Sequence, residues 1–417
     1  MSEDKQLYRF LARRLPDAAK RRLVLLTGAR QTGKTTLARA VYPDLRYVNL
    51  DAPENRDALR SVASAAWARD VGAAVLDEAQ KEPVVFEKVK YAYDEGALSF
   101  TILLGSSQVL LLKRIRETLA GRVFLFELWP LMMCELAAGG KDAPAPLVDR
   151  LFAEGPLKGV LGDVPGVLLD REEEAARRAE AHLLQWGGMP GLLSLEDGER
   201  RQWLKDYGYT YLERDLYDLA RLNDLAPFRS FQRLTALRSG RLLNYSELAR
   251  DAGVSVDSAR RYLEYLRLSY QTLLLPPWRE NLTSTVVKTP KVYWLDVGLL
   301  RTLSGMAGAA TGEIYETMVV GELLKWIRTA GREGELFFYR TRSGLEVDVL
   351  LETPFGVVGM EIKNRPQVAP QDVTALRDVA HALGNRWRGG MVIYTGTSIM
   401  PLAAPDIWAV PSHRLFN

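Results

Sequence analysis

Short apolar runs alternate with longer amphipathic segments through the first third of the chain. Such runs predict buried strands, and a helix between successive strands predicts a parallel sheet covered on both faces. An amphipathic helix over Leu7–Leu15 is predicted to precede the sheet. The predicted strands are Leu23–Thr27, Tyr47–Leu50, Ala73–Leu76 and Phe100–Leu104. We therefore expect residues 1–135 to form an α/β core that binds ligands at the carboxyl ends of its strands.

The pattern changes in residues 136–235. Ala137–Gly166 is rich in Gly and Pro, which predicts an irregular insert. Two helical patterns follow, Glu172–Gln185 and Trp203–Asn223, and we interpret them as a helical lid. On the second helix, Arg214 and Asp215 could contact a nucleotide or an adjoining subunit, or form only an intrahelical charge network.

Residues 236–300 have the element pattern of a winged helix. Asn244 and Ser255 are expected to cap two consecutive helices, with Gly253 at the turn between them, and the second helix runs to about Leu268. Two strands, expected to form the wing, are Thr272–Leu275 and Lys291–Leu295.

The second of these helices carries charges of both signs. Arg260 and Arg261 could contact DNA phosphates, whereas Asp257 and Glu264 oppose tight binding. The module could equally serve only for packing or for contacts between subunits.

Residues 301–417 combine a helix with several strands. The predicted elements are the helix Ile314–Arg328, the strands Leu336–Arg340, Leu345–Leu351 and Val357–Lys363, the helix Gln371–Leu383 and the strand Met391–Thr395. Antiparallel pairing of the second and third strands would bring Asp348 near Glu361. Because side chains alternate along a strand, Glu361 and Lys363 face the same side. Two clustered acids can hold a divalent cation, and the lysine can orient a water molecule.

The strongest chemical signal is a glycine loop between the first strand and a helix. It has the pattern G-x-x-x-x-G-K-[ST], whose backbone amides and helix N-terminus cradle phosphates. Lys34 can reach the β- and γ-phosphates of ATP, and the Thr35 hydroxyl can bind Mg²⁺. The nucleotide-binding residues are Gly28, Ala29, Arg30, Gln31, Thr32, Gly33, Lys34, Thr35 and Thr36.

Further candidate residues follow the later strands of the core. Asp77 would hold the Mg²⁺ and Glu78 would polarise the attacking water, because both directly follow an apolar strand. Ser106 could sense the γ-phosphate or the water, or simply belong to a Gly-Ser turn. Arg122 could neutralise charge in the transition state, in cis or from another subunit of a homo-oligomer, or form an ordinary surface ion pair.

Composition limits the alternatives. Apolar residues at 47% and charged residues at 26% are usual for a soluble globular protein, and a net charge of +3 gives no global field for nucleic acid. The single cysteine excludes an internal disulfide, and three histidines disfavour a zinc site. The sequence has no signal-like apolar segment and no stretch suited to a membrane span, so we expect a cytoplasmic protein without a membrane partner.

The motifs together resemble AAA-type ATPases with a C-terminal DUF4143 domain, which occur widely in bacteria and archaea. The similar segments are Gly28–Leu37, Leu76–Gln80, Gly105–Ser107, Leu119–Arg122, Trp186–Gly191, Tyr211–Asp215 and Val292–Leu300. The resemblance covers nearly the whole chain and implies an ATPase with an additional strand and a catalytic glutamate. It does not imply one biological role.

The C-terminal part resembles a restriction-endonuclease-like superfamily with the motif Asp…(Asp/Glu)-x-Lys. The resemblance places Asp348, Glu361 and Lys363 in that motif, with Glu322 as an additional acid on the preceding helix. A fold of this type does not by itself establish cleavage.

The expected function is Mg²⁺-dependent ATP hydrolysis coupled to binding of DNA, including branched or otherwise structured DNA. Two alternatives remain open at this point. One is a signalling or toxin–antitoxin type of regulatory ATPase with a protein partner. The other is a metal-dependent nuclease gated by ATP. Salt-sensitive, ATP-linked DNA binding would favour the DNA-acting classes over the regulator.

Overall fold

A computed structural model describes residues 7–105, 119–167, 171–220, 225–278 and 288–417, with only the helical backbone described over 209–220. The first part of the chain contains the strands β1 Arg22–Thr27, β2 Arg46–Asn49, β3 Ala74–Asp77, β4 Phe100–Leu104 and β5 Val123–Glu127. Their order across the sheet is β2-β3-β4-β1-β5, and all neighbours are parallel. The predicted parallel sheet is therefore confirmed.

One strand separates the glycine-loop strand from the strand that ends in two acids. β4 lies between β1 and β3, which is the additional-strand arrangement that the resemblance implied. The core helices are α1 Lys34–Val41, α2 Pro53–Ser61, α3 Trp67–Asp70 and α4 Val84–Asp94. Leu23 and Leu25 of β1 belong to one apolar cluster, whereas Val24 and Leu26 belong to another. The sheet is thus buried on both faces, as its continuous apolar runs require.

The predicted N-terminal helix over Leu7–Leu15 is wrong in length and type. The chain forms only a five-residue 3-10 helix, Phe10–Arg14. Arg9 before it is extended, with φ −127° and ψ 118°. Leu15 is also extended, as expected for a residue that precedes proline.

The Gly- and Pro-rich insert is more ordered than its composition predicts. The helix α5 Met133–Ala138 leads into it, and it contains a 3-10 helix Leu147–Phe152 and the helix α6 Leu157–Leu161. Val148, Leu151 and Leu157 are buried within the large apolar cluster, which explains the extra structure. The two helices predicted after the insert are present as α7 Arg171–Trp186 and α8 Asp197–Ala220.

The next segment contains the two capped helices and the two strands that the sequence predicts. Its elements are α9 Ala226–Leu237, β6 Arg241–Leu242, α10 Tyr245–Ala252, α11 Val256–Leu268, β7 Thr272–Leu275 and β8 Lys291–Trp294. Asn244 and Ser255 accept hydrogen bonds from backbone amides three residues later, so both N-caps are confirmed. The three strands form an antiparallel sheet in the order β6-β8-β7.

The last part of the chain is a mixed α/β unit. Its elements are α12 Val297–Ser304, α13 Gly312–Ala330, β9 Glu335–Arg340, β10 Glu346–Thr353, β11 Gly356–Lys363, α14 Thr374–Leu383, β12 Trp387–Tyr394, β13 Met400–Ala403, β14 Ile407–Pro411 and α15 Ser412–Leu415. The strand order is β13-β14-β12-β11-β10-β9. Among the described residues, none of the helices has both the length and the apolar composition needed to cross a membrane.

Candidate nucleotide site and C-terminal acid cluster

The loop between β1 and α1 has a backbone that suits anion binding. Gly28 and Gly33 have φ values of 148° and 92°. A Cβ on Gly28 would lie 2.1 Å from the carbonyl oxygen of Leu128, so this position requires glycine. Because α1 begins at Lys34, its free N-terminal amides join those of the loop.

The Lys34 ammonium lies against this loop and not in solvent. Its Nζ donates to the carbonyl oxygens of Gly28 at 3.0 Å and Ala29 at 2.7 Å, and the residue is only 8% exposed. The cation is therefore held beside the loop amides, as a phosphate-binding lysine must be.

The two predicted Mg²⁺ ligands of the core contact each other. Thr35 Oγ1 donates to Asp77 Oδ2 at 2.6 Å, and the Tyr47 hydroxyl donates to the same oxygen at 2.9 Å. Burial, followed by the hydrogen bond to Asp77, raises the pKa of Tyr47. A hydroxyl and a carboxylate are the hard oxygen ligands that Mg²⁺ prefers, so this pair fits the ion. No sequence motif marks Tyr47, so its contact with Asp77 was not predicted.

Glu78 directly follows Asp77 in an unusual conformation. Its φ is 52°, which is uncommon for a residue with a side chain, and its carboxylate accepts a hydrogen bond from Gln80. Its own amide donates to Asp77 Oδ1 at 2.9 Å. Its action on a water molecule stays a prediction. Ser106 and the side chains of Arg214 and Asp215 lie outside the described residues.

Arg122 lies at the opposite end of the sheet from the glycine loop. It precedes β5, whose first residue, Val123, pairs with Leu23, whereas the loop follows Thr27 at the other end of β1. Arg122 Nε donates to Asp94 Oδ1 at 2.6 Å on the surface. The hypothesis that Arg122 acts in cis is therefore wrong for this structure. A role in trans stays a prediction.

Three side chains that the sequence did not single out contact the glycine loop or the residue that precedes it. Arg9 donates to the Thr32 carbonyl, Tyr207 of α8 donates to the Arg30 carbonyl at 3.1 Å, and Tyr270 bonds Thr27. These contacts join residues far apart in sequence. No local pattern marks them, although Tyr207 lies on a helix that the sequence predicts.

The C-terminal acids come together as the hairpin predicts. β10 and β11 pair antiparallel, with Val349 opposite Met360, which sets Asp348 beside Glu361. Lys363 Nζ lies 2.6 Å from Glu361 Oε2 and 3.6 Å from Asp348 Oδ2. The two strands thus present two acids and one lysine at one place.

The helix acid near this cluster is Glu316, and the assignment of Glu322 is wrong. The Glu316 carboxylate accepts a hydrogen bond from Tyr293 at 2.5 Å and pairs with Lys291 at 3.2 Å. Burial and then the nearby charge of Asp348 raise the pKa of Glu316 to about 7. The two glutamates are six residues apart, so they project from different sides of α13.

Glu322 instead binds the segment that follows β5. Its Oε2 accepts a hydrogen bond from the Met133 amide at 2.7 Å, and the carboxylate also pairs with Lys325. Lys325 in turn donates to the Leu131 carbonyl at 3.3 Å. These contacts join α13 to the segment that follows the parallel sheet.

The main electrostatic feature of the C-terminal cluster is the raised pKa of its buried carboxyl group Glu361. Burial, and then the charge of Asp348, raise the pKa of Glu361 to about 9 against the opposing effect of Lys363. Lys291 lies 2.7 Å from Glu346 at the edge of the same cluster. Over the described part of the chain, no three His, Cys, Asp or Glu side chains have the arrangement of a metal site. The predicted metal ligation by Asp348 and Glu361 therefore stays a prediction.

The strand order, the glycine loop and the acids after β3 define a P-loop ATPase fold of the AAA type. The AAA domain family matches residues 20–137, and two domains of unknown function match the rest: DUF8612 over 177–310 and DUF4143 over 311–415. The chain therefore carries an AAA domain and a C-terminal DUF4143 domain.

Two relatives match nearly the whole chain. Uncharacterised proteins of Mycobacterium bovis and Mycobacterium tuberculosis are each 29% identical over 406 residues, spanning 95% of this chain and 81% of the relative. Among solved structures, the Walker-type ATPase PABY2304 of Pyrococcus abyssi is 18% identical with a TM-score of 0.42, covering 70% of this chain and 94% of that one. The ADP form of the Aeropyrum pernix ORC2 protein has 15% identity and a TM-score of 0.27, covering 64% and 84%. At these scores the likeness adds nothing to what the strand order shows.

Proposed function

We propose that the protein is a Mg²⁺-dependent ATP hydrolase. The observation that carries this proposal is the 2.6 Å contact between Thr35 and Asp77 beside the glycine loop. The loop amides and Lys34 bind the phosphates, and Thr35 and Asp77 hold the cation. A bound cation would neutralise charge on the β- and γ-phosphates. Glu78 orients the attacking water and accepts its proton.

Steady-state ATP turnover of the Lys34→Ala variant tests this proposal. We expect the turnover rate to fall by roughly 100-fold or more, because the variant lacks the lysine ammonium that stabilises charge on the transferring phosphate. Lys20→Ala is the matched control, since Lys20 is an exposed lysine before β1. Equal turnover by wild type and Lys34→Ala would contradict the proposal.

The proposed partner is DNA, bound by residues 236–300 acting as a winged helix. The support is the order of β6, α10, α11, β7 and β8, with the three strands paired as β6-β8-β7. On the exposed face of α11, Arg261 donates to the neutral Ser258 hydroxyl at 3.2 Å, whereas Arg267 pairs with Glu264 at 2.6 Å. Arg261 is therefore the better candidate for a phosphate contact.

A binding panel tests the DNA proposal. Single-stranded, duplex, forked and four-way DNA would be titrated with and without a non-hydrolysable ATP analogue. We expect Arg261→Ala to weaken binding and to lower the slope of log K against log salt by about 0.9. The control is Arg233→Ala, an exposed arginine on α9. If no DNA binds at low salt or alters ATP turnover, a regulatory ATPase with a protein partner becomes the better interpretation.

A second candidate function is metal-dependent cleavage of nucleic acid. It is favoured by the convergence of Glu316, Asp348, Glu361 and Lys363, since the charge of Asp348 acts on the other three. Purified protein would be incubated with plasmid and Mg²⁺ or Mn²⁺, beside Asp348→Ala and Lys363→Ala. Cutting by wild type alone would support the activity, whereas equal cutting by all three would indicate a contaminant.

A further inference from the structure

Arg9 makes three buried contacts beside the glycine loop. Its Nη1 donates to the Thr32 carbonyl at 2.7 Å, and its Nη2 donates to the Trp129 carbonyl at 2.5 Å. Its Nε lies 3.2 Å from Glu135 Oε2. The residue is 8% exposed, so two hydrogen bonds and one ion pair hold the planar guanidinium in place.

The partner carboxylate is itself held firmly. Glu135 is 1% exposed and also accepts hydrogen bonds from the Phe10 amide at 2.9 Å and the Met132 amide at 3.1 Å. A buried carboxylate with two amide donors and one guanidinium has little freedom to rotate. Glu135 therefore fixes the position from which Arg9 reaches the loop.

The hydrogen bond from Arg9 to the Thr32 carbonyl also constrains the orientation of the next amide, the N–H of Gly33. In a trans peptide the C=O and the following N–H lie in one plane and point in opposite directions. Holding the Thr32 carbonyl toward Arg9 consequently turns the Gly33 N–H away from Arg9. Gly33 has φ 92° and no side chain, so little else in the residue opposes rotation of this peptide.

We infer that Arg9 is a positioning residue of the phosphate loop. By holding the Thr32 carbonyl, it keeps the Gly33 N–H in the orientation needed to donate to a nucleotide phosphate. This role rests on the proposed ATP hydrolase function, in which the loop amides bind phosphate. Arg9 itself contacts neither the phosphates nor the water in this scheme, and it acts only through the loop.

The test compares ATP affinity and turnover in Arg9 variants. We expect Arg9→Ala to raise the Kd and KM for ATP about tenfold, the effect of losing one well-placed hydrogen bond to phosphate. Arg9→Lys should recover part of the affinity, because an ammonium can still donate to the Thr32 carbonyl. Arg13→Ala is the control, since Arg13 lies in the short helix that directly follows Arg9 but pairs with exposed Asp142. It should leave both constants unchanged.

Two further measurements separate positioning from folding. Arg9→Ala leaves the Glu135 carboxylate buried without its partner, so the double variant Arg9→Ala, Glu135→Gln is measured beside it. A melting temperature near that of wild type with a raised Kd supports positioning. A folded double variant with wild-type Kd and KM overturns the inference alone. Failure of the wild type to bind ATP overturns the proposed function and the Arg9 role with it.

Discussion

The hydroxyl oxygens of Tyr270 and Thr27 lie 2.6 Å apart, which joins the segment after α11 to the residue before the glycine loop. Tyr270 also donates to Glu127 Oε1 at 3.3 Å, and its ring packs edge-on against Trp129 at 5.1 Å. Burial, and then the charge of Glu127, raise the pKa of Tyr270, so the phenol stays protonated. The module that carries α11 is thereby attached to the base of the nucleotide loop.

Tyr270→Phe should lower the free energy of unfolding by roughly 1–3 kcal/mol, because it removes a buried hydrogen-bonding partner from both Thr27 and Glu127. Urea unfolding followed by circular dichroism measures the change. The control is Tyr265→Phe, whose ring lies on α11 in a partly exposed position. Equal stability of the two variants would mean that the Thr27 contact contributes nothing measurable.

Gly28→Ala should abolish ATP binding and destabilise the protein by more than roughly 2 kcal/mol. The added Cβ would meet the Leu128 carbonyl oxygen at 2.1 Å, and that oxygen belongs to the backbone and cannot rotate aside. Isothermal titration with ATP and thermal unfolding both report the effect. Gly198→Ala is the matched control, since a Cβ there meets no atom within 4 Å. Normal ATP affinity in the Gly28→Ala variant would contradict the described loop geometry.

The stability of the protein should fall as pH rises toward 9. The folded-state pKa of Glu361 is raised to about 9 and that of Glu316 to about 7, both above the ordinary glutamate value of 4.5. At pH values between the pKa of a group in the unfolded state and its pKa in the folded state, the native state binds more protons than the unfolded state. Each added pH unit in that range therefore lowers the free energy of unfolding. Lys291 and Lys363 add no slope in this range, because their pKa values are raised above 10.5 and both stay charged.

Melting temperatures between pH 5 and 9 test this dependence. Glu361→Gln should flatten the decline from pH 7 to 9, because a glutamine side chain does not titrate. Glu316→Gln should flatten only the part below about pH 7, where the pKa of Glu316 lies. Parallel curves for wild type and Glu361→Gln above pH 7 would show that Glu361 does not hold a proton in the folded state.

Arg122→Ala should leave ATP turnover unchanged at protein concentrations where the chain is monomeric. Arg122 pairs with Asp94 on the surface at the end of the sheet away from the loop. Turnover would be measured over a range of protein concentrations and compared with sedimentation data. A loss restricted to concentrations at which the protein associates would instead support a role for Arg122 in a neighbouring subunit.

Four of the five core strands could be predicted from the sequence, whereas the partly exposed β5 was not predicted. A strand buried on both faces, such as Phe100–Leu104, is apolar at consecutive positions and stands out from its surroundings. Helix α11 was predicted at its observed bounds because Ser255 caps its first turn and its apolar face is regular. In both cases the signal is local.

The errors arose where long-range contacts decide the outcome. Arg9 was predicted within the first helix, but it lies before that helix and donates to the carbonyls of Thr32 and Trp129. No pattern in the neighbouring sequence indicates these two contacts. α13 is buried on most of its sides, so periodicity does not show whether Glu316 or Glu322 faces the hairpin. Arg122 was a catalytic candidate because it ends a family-like segment, but its distance from the loop depends on the direction of β5.

The hydrogen bond from the Met133 amide to Glu322 joins α5 to the middle of α13, two helices that are far apart in the sequence. Both residues are buried, and the Met133 amide donates to the Glu322 carboxylate, so a chain cut between them would still share this contact. If the AAA domain were produced without α13, the Met133 amide would lose its hydrogen-bond acceptor. The apolar surface of the insert would also be exposed to solvent. Substitutions in the buried middle of α13 would thus weaken the contact between the C-terminal part of the chain and the segment that follows β5.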